Sequence, residues 1–271
     1  MRCDLVKIFA HRGYSARYPE NTEIAFSQAL KYGCSGIECD VQLTKDGVPV
    51  IIHDETVNRT ARFAKLPVKA LTYEEMMKLD FSAFRPGSYS PQRIMTLKQL
   101  LLMIKESRKD ITLNLELKNS IVPYAGMEEI ILEEVKGFED SIDFLYSSFN
   151  HESVRRLNSL DKGLKTAPLV DRSIQNPVNY VRDLGSDGIH LAQKLLTVRM
   201  LNELLSNGLF VNVYTVNSLA LARRYEEMNV TGIFTDRCVE IKEELTYGKK
   251  SGPDQARWGK TKSHRTDHRG L

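Results

Sequence analysis

Two histidines in the first part of the chain stand where acid–base chemistry could be carried out. His11 precedes Arg12 at the end of one short apolar run, and His53 precedes Asp54 at the end of another. Imidazole titrates near neutral pH, so two histidines brought to one site can give and accept protons during a reaction. The two histidines therefore predict general acid–base catalysis.

Three carboxylates lie in two predicted strands. Glu38 and Asp40 share one strand face because strand side chains alternate, and Glu116 shares a face with Lys118 for the same reason. Burying three carboxylates together is costly unless a cation compensates, and oxygen-only ligands favour Mg²⁺ or Ca²⁺ over zinc. Lys118 and Arg12 add positive charge suited to a phosphate. Together these groups predict metal-assisted phosphodiester cleavage.

Alternating β-branched runs and amphipathic stretches must position these residues. Apart from one hairpin strand, the pattern predicts eight strands, each followed by a helix. The predicted strands are 7–10, 36–43, 111–117, 142–146, 166–170, 188–191, 210–216 and 232–235. Repeated strand–helix units indicate parallel pairing, and eight of them have the size of a (β/α)8 TIM barrel. An open doubly wound sheet is the alternative, but the glycine-rich first turn typical of it is absent from the sequence.

Two features interrupt this repeat. Lys45-Asp46-Gly47 signals a tight turn, after which residues 48–52 return as a hairpin partner of strand 36–43. Residues 54–93 are too long for an ordinary connection, and they predict a functional insertion after the second-strand hairpin.

Two helices are expected to begin at polar caps. Asn21 or Thr22 is interpreted as the cap of the first helix, and Asn217 as the cap of the helix that follows strand 210–216. Such side chains accept hydrogen bonds from the unpaired N–H groups of a first helical turn.

Charge is unevenly distributed along the chain. The 271 residues carry 38 Lys and Arg against 35 Asp and Glu, a formal charge of +3. Residues 249–271 hold seven of the basic and two of the acidic residues, which leaves residues 1–248 with a net charge of −2. We therefore predict a barrel domain over 1–248 and a basic, disordered tail over 249–271. The tail lacks interleaved aromatic residues, so no nucleic-acid partner is expected.

Composition excludes several classes of protein. With 42% hydrophobic and 27% charged residues, the chain is not mainly disordered. It has no apolar run of about 18 residues, so no membrane span is expected. Its four cysteines lack paired spacing and no apolar leader is visible, which together predict a cytoplasmic protein.

A series of motifs extends over nearly all of residues 1–248. The motifs are His11-Arg12-Gly13, Pro19-Glu20-Asn21-Thr22, Glu38-x-Asp40, His53-Asp54, Glu116-x-Lys118, Ser147-Ser148-Phe149, Val213-Tyr214-Thr215-Val216-Asn217 and Thr235-Asp236. In this order they resemble the glycerophosphodiester phosphodiesterase family. The resemblance implies a (β/α)8 barrel, in agreement with the strand count, and an insertion that caps the site at the position of 54–93.

The resemblance also implies a role for each site residue. Glu38, Asp40 and Glu116 would hold one divalent cation. His11 and His53 would be general base and general acid in an order that the sequence leaves open, with Arg12 and Lys118 on the phosphate. In the family mechanism the glycerol 2-hydroxyl attacks phosphorus, the alcohol leaves, and water opens the cyclic phosphate to sn-glycerol 3-phosphate.

Tyr214 departs from the family pattern, because many relatives carry tryptophan there to line the substrate pocket. Tyrosine keeps an apolar face and adds a hydroxyl, which leaves the head-group preference open.

Two other functions are alternatives to this one. The same site could act on lysolipids as a lysophospholipase D, which would need an apolar groove or a membrane-facing surface. A non-catalytic binding module with a nucleic-acid-binding tail would be favoured by a missing site group, but every group is present.

Overall fold

Eight parallel strands close into a ring. The computed structural model describes residues 6–61, 65–83, 89–107 and 110–247, so the predicted tail lies outside the described residues. The strands are β1 (Lys7–His11), β2 (Gly36–Leu43), β3 (Pro49–Ile51), β4 (Ile111–Leu117), β5 (Ile142–Ser148), β6 (Thr166–Val170), β7 (Gly188–Ala192), β8 (Phe210–Tyr214) and β9 (Gly232–Thr235). All neighbours pair in parallel except β3, which is antiparallel to β2, and β1 pairs with both β2 and β9. The predicted (β/α)8 TIM barrel is confirmed.

Helices cover the outside of the ring. They are α1 (Glu23–Lys31), α2 (Tyr73–Met77), α3 (Leu97–Ser107), α4 (Met127–Val135), α5 (His151–Leu160), α6 (Pro177–Asp183), α7 (Val198–Ser206), α8 (Leu219–Glu227) and α9 (Cys238–Tyr247). Their buried faces pack on the outward side chains of the strands to form the main apolar core. None of the described helices is both long and apolar enough to cross a bilayer.

Of these two predicted helix caps, Thr22 is correct in position, whereas Asn217 is wrong. Thr22 stands at the N-cap of α1, but its hydroxyl donates to the carbonyl of Pro19 at 2.6 Å and caps nothing. Ser218, not Asn217, caps α8 by accepting a hydrogen bond from the backbone N–H of Leu221. The side-chain amide of Asn217 instead donates a hydrogen bond to Asp236, the residue after β9.

A small apolar cluster fills the inside of the ring. The rings of Phe9 and Phe234 stack with centroids 4.8 Å apart, and Leu145 packs with them. Phe9 is two residues before His11 and therefore lies on the same strand face, one layer deeper. The cluster forms an apolar floor under the carboxyl ends of the strands.

The segment between β3 and α3 forms a satellite to the barrel. Val57, Val68, Met76, Phe81 and Ile94 are buried against one another and against the end of β3. Helix α2 begins with a capping box between Thr72 and Glu75, an element that the irregular sequence pattern did not predict. The segment thus carries an apolar core of its own beside the ring.

Candidate active site

Strand register brings the predicted site residues together at the carboxyl ends of the strands. His11 lies opposite Glu38 in the β1–β2 pair, and Asp40 lies opposite Glu116 in the β2–β4 pair. A cavity of about 200 Å³ opens between them. Its walls include His11, Arg12, Glu38, His53, Glu116 and Tyr214. Two larger grooves of about 880 and 950 Å³ lie elsewhere on the surface, and neither is lined by these residues.

Three carboxylates converge beside this cavity. One oxygen each from Glu38, Asp40 and Glu116 lies within 4.8 Å of the others, and the three residues are only 2%, 0% and 8% exposed. Oε1 of Glu38 and Oδ1 of Asp40 have no hydrogen-bond partner among the described residues. Burial, together with the charges of Asp40 and Glu116, raises the pKa of Glu38 well above its usual range. Buried, partly unpartnered carboxylate oxygens fit a hard divalent cation.

Two cations offset part of this negative charge. Nε of Arg12 lies 3.2 Å from Oδ2 of Asp40, and Nζ of Lys118 lies 2.9 Å from Oε1 of Glu116 and 3.9 Å from Oδ1 of Asp40. Burial alone would raise the pKa of Asp40, but Arg12, His53 and Lys118 lower it below its usual range. The site therefore presents positive and negative groups side by side, as a phosphate with a cation requires.

The loop after β1 holds Arg12 in an uncommon backbone conformation. Arg12 has φ +58° and Asn21 has φ +55°, and the backbone N–H of Asn21 donates to the carbonyl of Arg12 at 3.0 Å. A Cβ on Gly13 would lie 2.7 Å from the carbonyl carbon of Ala25, so this residue must be glycine for α1 to approach. Asn21 Nδ2 also donates to Oδ2 of Asp40 at 2.9 Å, which joins the loop to the carboxylates.

Asp236, which follows β9, holds the imidazole of His11. Nδ1 of His11 lies 2.6 Å from Oδ1 of Asp236, and Asn217 and Ser15 also donate to this carboxylate. Burial opposes ionisation, but these hydrogen bonds lower the pKa of Asp236 to about 2. An ionised carboxylate only accepts, so Nδ1 of His11 carries the hydrogen and Nε2 is left for proton transfer.

His53 is held in the same way by its neighbour in the chain. Nδ1 of His53 lies 2.6 Å from Oδ1 of Asp54. Burial again opposes ionisation, and hydrogen bonds from Arg59 and His53 lower the pKa of Asp54 to about 2. Two imidazoles, each fixed through Nδ1 by an aspartate, thus border one cavity.

An apolar wall faces the charged groups. The rings of Tyr214 and Phe149 meet edge to face with centroids 6.0 Å apart, and Leu169 and Phe234 continue the surface. The Tyr214 hydroxyl is buried and has no hydrogen-bond partner in the described part of the chain. The cavity therefore combines a charged half with a carbon-lined half.

His190 lies under this wall. It is fully buried, its Nε2 is 3.2 Å from Nδ2 of Asn212, and burial lowers its pKa to about 3. It is therefore neutral near pH 7, and it lines the same cavity as the charged groups.

Sequence reasoning found the charged residues but missed their supports. Asp236 is marked in the sequence only as part of a motif, and the position of Asn217 before a helix predicts a helix cap. Arg59 was not singled out, because it lies in the irregular insertion. Asp54 adjoins His53 in the sequence, and Asp236 and Asn217 belong to the family motifs, whereas no sequence signal points to Arg59.

Fold and site together define a barrel hydrolase of phosphoric diesters. The chain belongs to the glycerophosphoryl diester phosphodiesterase family, whose sequence profile matches residues 11–240. It is 38% identical over 246 residues to a glycerophosphodiester phosphodiesterase of Bacillus altitudinis, across 89% of this chain and 100% of the relative. The resemblance seen in the motifs is thereby confirmed, and the chain is an enzyme of this type.

Solved structures agree with this assignment. A phosphodiesterase of Oleispira antarctica, in complex with the product sn-glycerol-3-phosphate, superposes with a TM-score of 0.82 at 27% identity, covering 89% of this chain and 97% of that one. A glycerophosphodiester phosphodiesterase of Thermotoga maritima superposes with a TM-score of 0.71 at 27% identity, covering 89% and 98%.

Proposed function

We propose that this phosphodiesterase converts glycerophosphodiesters to sn-glycerol 3-phosphate and an alcohol, with one divalent cation and two histidines. The observation that carries the proposal is a cavity lined by both aspartate-held imidazoles and by Glu38 and Glu116, with the buried carboxylate of Asp40 within 4.8 Å of those two. The product bound to the Oleispira antarctica relative is sn-glycerol-3-phosphate, which supports the same product here.

The histidines move the protons of the reaction. Nε2 of one imidazole takes the proton of the glycerol 2-hydroxyl as that oxygen attacks phosphorus, and the other imidazole gives a proton to the departing alcohol oxygen. A cyclic phosphate results. Water then opens it with the two roles reversed, which returns both imidazoles to their starting states. His11 and His53 are the two imidazoles, and either one can be the base of the first step with the other as the acid.

The charged residues stabilise the phosphate. Arg12 lines the cavity, and Lys118 contacts the carboxylate of Glu116 beside it. Both cations are placed to offset the negative charge that develops on the phosphoryl oxygens. Glu38, Asp40 and Glu116 would hold Mg²⁺ or Ca²⁺, which when bound neutralises phosphate charge as a Lewis acid. The apolar wall with Tyr214 contacts the carbon skeleton of the substrate.

An assay for sn-glycerol 3-phosphate released from glycerophosphocholine, with and without EDTA, tests this function. Activity should vanish in EDTA and return with Mg²⁺ or Ca²⁺, and His11→Ala should lose about 10²- to 10⁴-fold in kcat while remaining folded by circular dichroism. Full activity in chelator would exclude the cation. No release from any glycerophosphodiester under any metal condition would overturn the proposed reaction.

A further inference from the structure

One arginine of the insertion joins two residues that support the reaction. Nε and Nη2 of Arg59 donate to the two carboxylate oxygens of Asp54 at 2.7 and 2.9 Å. Nη1 and Nη2 donate to the two oxygens of Glu20 at 2.6 and 2.8 Å. The guanidinium is therefore shared between two carboxylates, each bound through both oxygens. We call Asp54, Arg59 and Glu20 the Arg59 bridge.

Each end of the Arg59 bridge touches a group of the proposed site. Asp54 holds Nδ1 of His53 at 2.6 Å, as described above. Glu20 accepts a hydrogen bond from Nη1 of Arg12 at 2.9 Å. The bridge thus runs from a proton-transferring imidazole to the phosphate-side arginine.

Glu20 makes the bridge sensitive to the loss of Arg59. Its side chain is only 6% exposed, and burial would raise its pKa, but Arg59 and Arg12 lower it. Without Arg59 this buried charge would keep one partner, Arg12, which also lies 3.2 Å from Asp40. An uncompensated buried carboxylate is costly, so Glu20 would draw the Arg12 guanidinium toward itself and away from the cavity.

Arginine is the residue type that this position requires. A planar guanidinium presents five N–H donors in a fixed fork and can serve two carboxylates at once. Lysine would keep the charge but would act as a point charge on a flexible stem. The distinction between charge and geometry can therefore be tested at this position.

We propose that Arg59 is a positioning residue that fixes Arg12 and His53 together and so links the folding of the insertion to the chemistry of the barrel. The inference rests on the proposed function, since it concerns the efficiency of the same reaction. Arg59 acts through Asp54 and Glu20 and contacts no reacting atom.

The test compares variants of the metal-loaded full chain on glycerophosphocholine. Arg59→Met should lower kcat/KM about 100-fold, because a shift of about 1 Å in catalytic geometry costs that much. Misplacement of His53 should lower kcat, and misplacement of Arg12 should raise KM. The kcat/KM of Arg59→Lys should be no more than about tenfold above that of Arg59→Met. Arg93→Met is the matched control, since this insertion arginine donates to the carbonyl of Leu79, and it should stay within about threefold of wild type.

The decisive variant removes Glu20 together with Arg59. If an unpaired Glu20 misplaces Arg12, then Glu20→Gln in the Arg59→Met background should raise kcat/KM at least about tenfold above Arg59→Met alone, mainly by lowering KM. A merely structural ion pair predicts the opposite, because the second substitution would add damage. Melting temperatures of all variants separate loss of fold from loss of geometry.

Distinct results overturn distinct claims. Equal kinetics for Arg59→Met and Arg93→Met, or a double variant no more active than Arg59→Met, would overturn the positioning role while wild-type activity stands. If Arg59→Met does not fold, the same comparison is made in the Arg59→Lys background. A double variant Arg59→Lys, Glu20→Gln whose kcat/KM is no higher than that of Arg59→Lys would then overturn the positioning role. An inactive wild type would instead overturn the proposed function.

Discussion

His11 and Asp236 are 225 positions apart in the chain, but Nδ1 of the histidine lies 2.6 Å from Oδ1 of the aspartate. Closure of the ring makes this contact, since Ala10 of β1 lies opposite Thr235 of β9. The carboxylate fixes both the orientation and the tautomer of the ring. In the proposed mechanism, proton transfer at Nε2 of His11 therefore depends on a residue that directly follows the last strand.

Asp236→Asn should lower kcat by about 10²- to 10⁴-fold with little change in KM. An asparagine amide can donate to Nδ1, which favours the tautomer with hydrogen on Nε2 and removes the base. Initial rates of sn-glycerol 3-phosphate release measure the effect. Asp183→Asn, at an exposed carboxylate at the end of α6, is the control and should match wild type. A kcat for Asp236→Asn within tenfold of wild type would contradict this role.

Asp236 should also contribute to stability in a defined range of pH. Its pKa in the folded state is about 2, below the ordinary 3.8, so the contribution is complete above pH 4 and is lost as pH falls toward 2. Because a third of the side chain is exposed, the expected size is on the order of 1 kcal/mol. The difference in thermal stability between wild type and Asp236→Asn should therefore be largest near pH 6 and should shrink steadily as pH falls below 4. A stability difference between wild type and Asp236→Asn that grows as the pH falls would contradict this prediction.

A substrate with a different leaving group should show which of the two histidines is the general acid. A 4-nitrophenyl ester of glycerol phosphate releases an alcohol that needs no proton donor, whereas choline release does. The variant that lacks the general acid, His11→Ala or His53→Ala, should therefore recover about 10²-fold or more with the nitrophenyl ester. Single-turnover nitrophenol release isolates this first step. Equal recovery in both variants would mean that neither acts as a dedicated acid.

The ring and the hydroxyl of Tyr214 should have separable effects. Tyr214→Ala removes part of the apolar wall and should raise KM about tenfold. Tyr214→Phe removes a buried hydroxyl that has no partner among the described residues, so it should leave KM within about threefold and raise the free energy of unfolding by up to about 1 kcal/mol. Kinetics and urea unfolding measure both. Loss of stability in Tyr214→Phe would show that the hydroxyl is satisfied.

The strands and their order followed from the sequence because each was marked by a local pattern. Ile111–Leu117 and Thr166–Val170 have the predicted bounds, and the register of β2 with β4 brought Glu38, Asp40 and Glu116 together as alternation required. A residue type at a strand end is a local signal, and parallel strands align such ends at one face.

Contacts made by side chains across the barrel could not be predicted in this way. Arg59 pairs with Glu20 across 39 positions, within a segment that has no strand or helix period to place it. The position of Asn217 just before α8 is typical of a cap, but its amide donates at 2.7 Å to the partly buried carboxylate of Asp236 instead. Where two local roles compete for one side chain, tertiary packing decides.

Ring closure through β1 and β9 also has a consequence for biosynthesis. His11 is synthesised before its partner Asp236, which follows only after eight further strands. A nascent chain that lacks β9 and Asp236 cannot orient this imidazole through that carboxylate. Hydrolysis by the proposed mechanism therefore requires that the last strand has closed the ring.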